Sequence, residues 1–277
     1  MTTVALCSGK GSPGVSTLAC VFGAAWPRRR RVVVAECDPS GNDLAARFGL
    51  SQLVGMTSLV VEARRREAST ALDAHLQQLP GGLETLVGPV SPDAASSLDR
   101  ELRAVVGPVL SQPVDLLVDC GRLLRSAMGQ AAAVTSSDHV VVVMRADAAS
   151  VPHAHWALET VRGMAPGARR WLVSVGADPF ARGEIERLLG CPLLGSVPDD
   201  RAGAAMACGV PGGHRSFARS PLVAAARRVV RCLDSDRLTA PRDPESPAVP
   251  PVAGGHDPAE ASHGAGSPAD AKPSEVR

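Results

Sequence analysis

The sequence predicts one α/β domain, a mainly parallel sheet with helices on both faces, followed by a disordered tail. Three observations carry this. Short, near-continuous Val/Leu runs alternate with longer stretches of helical periodicity through the first 235 residues; unbroken apolar runs belong to strands covered on both faces, and strand–helix alternation sets such strands side by side in parallel. With 45% apolar residues in 277, the chain can bury a sizeable core. Beyond about residue 236 that capacity is gone.

The strand candidates in order are TVALC (3–7), RVVVAEC (31–37), LETLV (83–87), DLLVDC (115–120), HVVVVM (139–144), RWLVSV (170–175) and LLGSV (193–197). A helix from about Val15 to Trp26 follows the first strand, and helical patterns cover 91–106, 152–164, 182–189 and 221–233. After Leu238 there is no Leu, Ile or Phe, and eight prolines follow from Pro241. That composition cannot offset the entropy of ordering, so the expected division is a domain over 1–235 and a disordered Pro/Ala/Gly-rich tail over 236–277.

Charge narrows the partners. Lys plus Arg (29) nearly cancels Asp plus Glu (28), so no global field argues for nucleic acid or an acidic partner. Two arginine runs, 28–31 and 64–66, suit either non-specific duplex DNA or solubilising surface. The surface reading is favoured, because the first run leads into a strand and the second lies on a helical pattern. Without tyrosine and with four scattered phenylalanines, the chain offers no base-stacking platform. Its seven cysteines occur singly, with no C-x-x-C, and read as buried, reduced thiols. His153 and His155 flank a predicted helix start without Cys or His company, so they are not read as metal ligands. The amphipathic PLVAAARRVVRCL (221–233) is expected to pack on the sheet rather than lie on a membrane. Neither a signal peptide nor a membrane span is evident, and a cytoplasmic protein is expected.

Function is written in LCSGKGSPGVSTLAC (6–20). The loop follows a strand and opens a helix, where unpaired N–H groups and the helix dipole favour an anion. It fits two motifs. Gly9, Gly11 and Gly14 spell G-x-G-x-x-G, and Glu36 ends the next strand where a dinucleotide site holds a ribose hydroxyl. That reading makes the chain an NAD(P)-dependent oxidoreductase. The alternative is a phosphate and Mg²⁺ site, with Ser16 as the metal hydroxyl and Asp119 as a carboxylate at the end of an apolar strand. Ser16 and Thr17 have no use in a dinucleotide loop, and Asp38 stands at a third strand end, so the phosphate reading is favoured. Lys10 and Lys272 are the only lysines; one kept inside a glycine loop, in a chain that otherwise uses arginine, points to a role.

KGSPGVST (10–17) resembles the deviant Walker A loop of the MinD/ParA family of P-loop ATPases, K-G-G-x-G-K-[ST]-T. ECDPSGNDLA (36–45) is similar to the family's D-x-D-P switch, VDLLVDCG (114–121) to its Walker B strand, and EIERLLGCPLLGSVPDD (184–200) to its helix–strand–Pro-Asp stretch. The resemblance implies a P-loop NTPase-like fold over about 1–235, ATP and Mg²⁺ as cofactors, and a homodimer that serves intracellular positioning or partitioning with a protein partner. It assigns Lys10 to the signature lysine that reaches a dimer partner's phosphates, and Asp38 to orienting the attacking water. The nucleotide would lie on Gly9, Lys10, Gly11, Ser12, Pro13, Gly14, Val15, Ser16 and Thr17, and the metal on Ser16 and Asp119. Three positions depart from the family: Val15 replaces the P-loop lysine, Ser12 replaces a glycine, and WLVSVGAD (171–178) lacks the asparagine that contacts the base. Removing one stabilising donor costs about 3–4 kcal/mol of barrier, so weak ATP binding with slow or absent hydrolysis is expected. The alternative is a pseudo-ATPase scaffold that works only through protein contacts.

Overall fold

The computed structural model describes residues 1–11, 13–65, 72–110, 112–177, 183–211 and 214–235. Ser12 and the expected tail, 236–277, lie outside the described residues. The strands are β1 (Thr3–Ser8), β2 (Val32–Glu36), β3 (Gln77–Gln78), β4 (Glu84–Leu86), β5 (Asp115–Arg122), β6 (His139–Arg145), β7 (Arg169–Val175) and β8 (Leu193–Val197). The helices are α1 (Val15–Ala25), α2 (Leu44–Phe48), α3 (Met56–Arg65), α4 (Pro92–Leu110), α5 (Met128–Thr135), α6 (Val151–Met164), α7 (Glu184–Leu189), α8 (Arg201–Ala207), α9 (His214–Ala218) and α10 (Pro221–Asp234). All seven strands read from the sequence are present. The two-residue β3 and the short α2, α5, α8 and α9 are additions, since segments so short or so rich in small residues carry little periodic signal.

One eight-stranded sheet runs in the order β3-β4-β2-β5-β1-β6-β7-β8. Every pair is parallel except β3 with β4. Alternation along each strand feeds two separate cores. Val4 and Leu6 of β1 join Val34, Leu117, Val141 and Trp171 on the face that α1 and α10 cover. Ala5 and Cys7 join Val33, Val118, Val140 and Val142 on the opposite face, under α3 to α6. Each buried Val or Leu contributes about 1.5–3 kcal/mol, so covering both faces is what holds these strands in parallel. Cys7, Cys20, Cys37 and Cys120 are buried within these cores. Burial raises all four thiols, that of Cys7 to about 12, which keeps them protonated as small apolar groups.

α10 packs its apolar side, Leu222, Val223, Ala226, Val229, Val230 and Leu233, into the α1 face. Pro221 opens it, and the Ser220 hydroxyl caps it by accepting from the Val223 N–H at 3.2 Å. Its far end is tied down by the first arginine run. Arg29 and Arg30 both pair with Asp234, and Arg30 also pairs with the buried Asp115, which accepts from the Trp26 indole at 2.7 Å. Arg31 pairs with Asp73 and Glu84. Arg29, Arg30 and Arg31 thus clasp the N-terminal edge of the sheet, while Arg28, Arg29 and Arg31 stay exposed there. In the second run Arg64 pairs with Glu101, and Arg66 lies outside the described residues. Among the described residues, no helix is long and apolar enough to cross a membrane.

Candidate functional site

The site is built at the opposite, C-terminal edge. β1 lies between β5 and β6, so the loop leaving β1 emerges where the chain changes direction across the sheet, the usual place for a ligand in such folds. Gly9 is buried against α6; a Cβ there would sit 1.9 Å from the His153 carbonyl oxygen. Lys10 and Gly11 are exposed, Pro13 is buried, and a Cβ on Gly11 or Gly14 would meet nothing within 4 Å. The space above the loop is thus open to a group that approaches the main chain closely. Gly14 takes φ 98, a left-handed turn that L side chains resist, and is the N-cap of α1. No side chain caps α1 and its first turn carries no acid, so its positive end suits an anion.

Side-chain directions on α1 divide the loop's tasks. Val15 is 5% exposed and belongs to the core with Leu18, Val4 and Leu6. Ser16, half-buried, lies close enough to Asp119 for its hydroxyl to favour the carboxylate form. Strand register explains the meeting: Asp119 of β5 stands beside Leu6 of β1, and its Oδ1 accepts from the Gly121 N–H at 3.0 Å. Burial raises the Asp119 carboxyl to about 6, against the lowering effect of Ser16 and Gly121, and nearby Asp38 raises it further.

Asp38, half-buried just past β2, accepts from the backbone N–H of Ser40 at 2.8 Å. Burial raises its carboxyl as well. The expected gathering of Ser16, Asp38 and Asp119 at one edge is present, and oxygen donors of this kind suit Mg²⁺. Lys10 lies within charge range of Asp147, whose carboxyl is held below its usual range by the Ser150 hydroxyl and backbone, with Arg145 and Lys10 assisting.

Glu36 does something the sequence did not disclose. It is 2% exposed and spent on the main chain: Oε1 accepts from Asp43 and Leu44, each at 2.9 Å, and Oε2 from Gly88 at 3.0 Å. It fastens the loop after β2 and the start of α2, and burial raises it to about 7 despite these donors. The dinucleotide reading fails on this residue and on strand order. In a dinucleotide fold the second strand lies next to the first; here β5 intervenes, which puts Glu36 about 10 Å, two strand spacings, from the loop strand.

Asp200 caps α8 by accepting from Gly203 at 2.9 Å, and Asp199 pairs with Arg145 at 3.1 Å. His153 and His155 are exposed on α6. A residue the sequence reading missed is Arg47 of α2, which donates to Asp43 at 2.7 Å and to Cys208 at 3.4 Å. Its one visible signal was the i,i+4 spacing from Asp43.

No family model matches the chain, and no curated protein matches its sequence. Solved structures do. A ParA family ATPase from Chlorobium tepidum TLS superposes with a TM-score of 0.69 at 17% identity, covering 84% of this chain and 98% of that one. The MinD cell division protein of Aquifex aeolicus gives 0.65 at 18% identity, with 84% and 96% covered. MinD of Pyrococcus horikoshii OT3, complexed with Mg-ADP, gives 0.65 at 16%, again with 84% and 96% covered. At such identities the likeness shows the fold: this chain has the P-loop NTPase-like fold of the ParA and MinD ATPases.

Proposed function

We propose that this chain is a MinD/ParA-type regulatory protein for intracellular positioning or partitioning, which binds ATP·Mg²⁺ weakly and turns it over slowly or not at all. One observation carries the reading: the Ser16 hydroxyl and the Asp119 carboxylate come close together beside an open glycine loop at the uncapped end of α1. In this reading the main chain from Gly9 to Thr17 cradles the phosphates, and Ser16 and Asp119 hold the metal. Mg²⁺, when bound, supplies positive charge to the phosphate oxygens. Asp38, held by the Ser40 amide, orients water. Lys10, exposed at the rim, reaches a second copy of the chain in a cytoplasmic homodimer. The fold shared with Mg-ADP-bound MinD supports the assignment.

A second reading, a pseudo-ATPase scaffold for a protein partner, is favoured by Val15. Its side chain lies in the core, so position 15 offers no ammonium to a phosphate. Calorimetric titration of the full chain with ATP·Mg²⁺ separates the two. Saturable binding that needs Mg²⁺ and is lost in Asp119→Ala supports the nucleotide reading, and loss of ATP-induced dimerisation in Lys10→Ala supports the role of Lys10. Silence up to millimolar ATP leaves the scaffold.

A further inference from the structure

Val15 removes a cation from the loop, and the fold brings another to it from a different element. Arg47 lies on α2, with a side chain only 26% exposed. Its Nη2 is tethered to Asp43 at 2.7 Å and its Nη1 donates to the Cys208 sulfur at 3.4 Å. That sulfur is 3.5 Å from the Thr17 hydroxyl, so one atom separates the guanidinium from the second hydroxyl of the glycine loop. The backbone is clamped too. Gly209, at φ 91, lies so close that a Cβ there would be 2.3 Å from the Arg47 carbonyl oxygen.

Other cations at this edge are placed differently. Lys10 and Arg122 are exposed, and Arg145 is paired with Asp199. Arg47 is half-buried and held, so its field on an anion at α1 is screened less than theirs. Two of its five donors serve Asp43 and Cys208.

We infer that Arg47 supplies the positive charge missing at Val15, as the cation that holds the nucleotide's phosphate chain on the Thr17 side of the loop. This rests on the nucleotide reading above. The test is calorimetry of ATP·Mg²⁺ binding to the full chain as wild type, Arg47→Lys, Arg47→Gln and, as a control on the outer face of α10, Arg227→Gln. Arg47→Gln should weaken binding by about tenfold or more, the scale of one charged hydrogen bond, while Arg47→Lys, which keeps the charge and loses the fork, falls between wild type and Arg47→Gln, and Arg227→Gln is unchanged. A second measurement needs no variant. ATP·Mg²⁺ should protect Arg47, but not Arg227, from phenylglyoxal, read by peptide mass spectrometry. Binding by wild type with an unaffected Arg47→Gln, or with no protection of Arg47, overturns this inference and leaves the nucleotide reading standing. Absence of binding by wild type overturns both.

Discussion

The carboxylate of Asp38 lies directly against the α-carbon of Gly121, so that a methyl group there would be 1.8 Å from Asp38 Oδ2. Gly121 follows the Asp119–Cys120 pair on β5 at φ 55, and through this contact the end of one strand sets the position of an acid at the end of another. Gly121→Ala is expected to cost about 2–4 kcal/mol, combining left-handed strain with the displaced carboxylate. In an Asp38→Gly background the same change should cost only about 1 kcal/mol. Urea unfolding of the four proteins gives the coupling directly. Equal costs in both backgrounds would show that the two residues do not press on one another.

The buried acids predict how stability responds to pH. Glu36 is raised from 4.5 to about 7 and Asp119 from 3.8 to about 6. Both bind a proton more tightly in the folded state, so their contribution is complete below about pH 4 and is lost as pH rises toward 7. The loss is up to about 3 kcal/mol for each group. Denaturation between pH 4 and 8 should therefore show a flatter decline in Glu36→Gln and in Asp119→Asn than in wild type. Binding of ATP·Mg²⁺ should run the other way and strengthen through pH 6, as Asp119 becomes the carboxylate that a metal requires. Parallel pH slopes in wild type and both variants would refute the assignment.

Two glycines of the same loop should behave oppositely. Gly9 abuts the His153 carbonyl, which α6 cannot move, and Gly9→Ala is expected to cost about 3 kcal/mol. Gly11 faces open space, and Gly11→Ala should change stability by less than about 0.5 kcal/mol. Thermal melting of the two variants decides it, and a Gly9→Ala protein as stable as wild type would remove the packing role given to this residue.

Much of this was legible in the residues. The runs from TVALC to LLGSV named seven strands, because a chain buried on both faces must be apolar without interruption. The hydroxyl of Ser16, the acid near the end of DLLVDC and the glycines between strand and helix were legible as groups that share one edge of the sheet. The arginine run at 28–31 was not legible: its partners Asp73, Glu84, Asp115 and Asp234 are scattered along the chain, and no local pattern announces a clasp.

By itself, then, the sequence determined the elements, their class and the side chains available for chemistry, because periodicity and turn residues act over a few positions. Only the tertiary structure decided which strands are neighbours. Inserting β5 between β1 and β2 brought Asp119 to Ser16 and carried Glu36 away from the loop. The same packing turned Val15 into the core and set Arg47 one sulfur atom from Thr17. Such contacts join residues far apart along the chain, and they are selected by the closing of a whole core rather than by any short stretch of it.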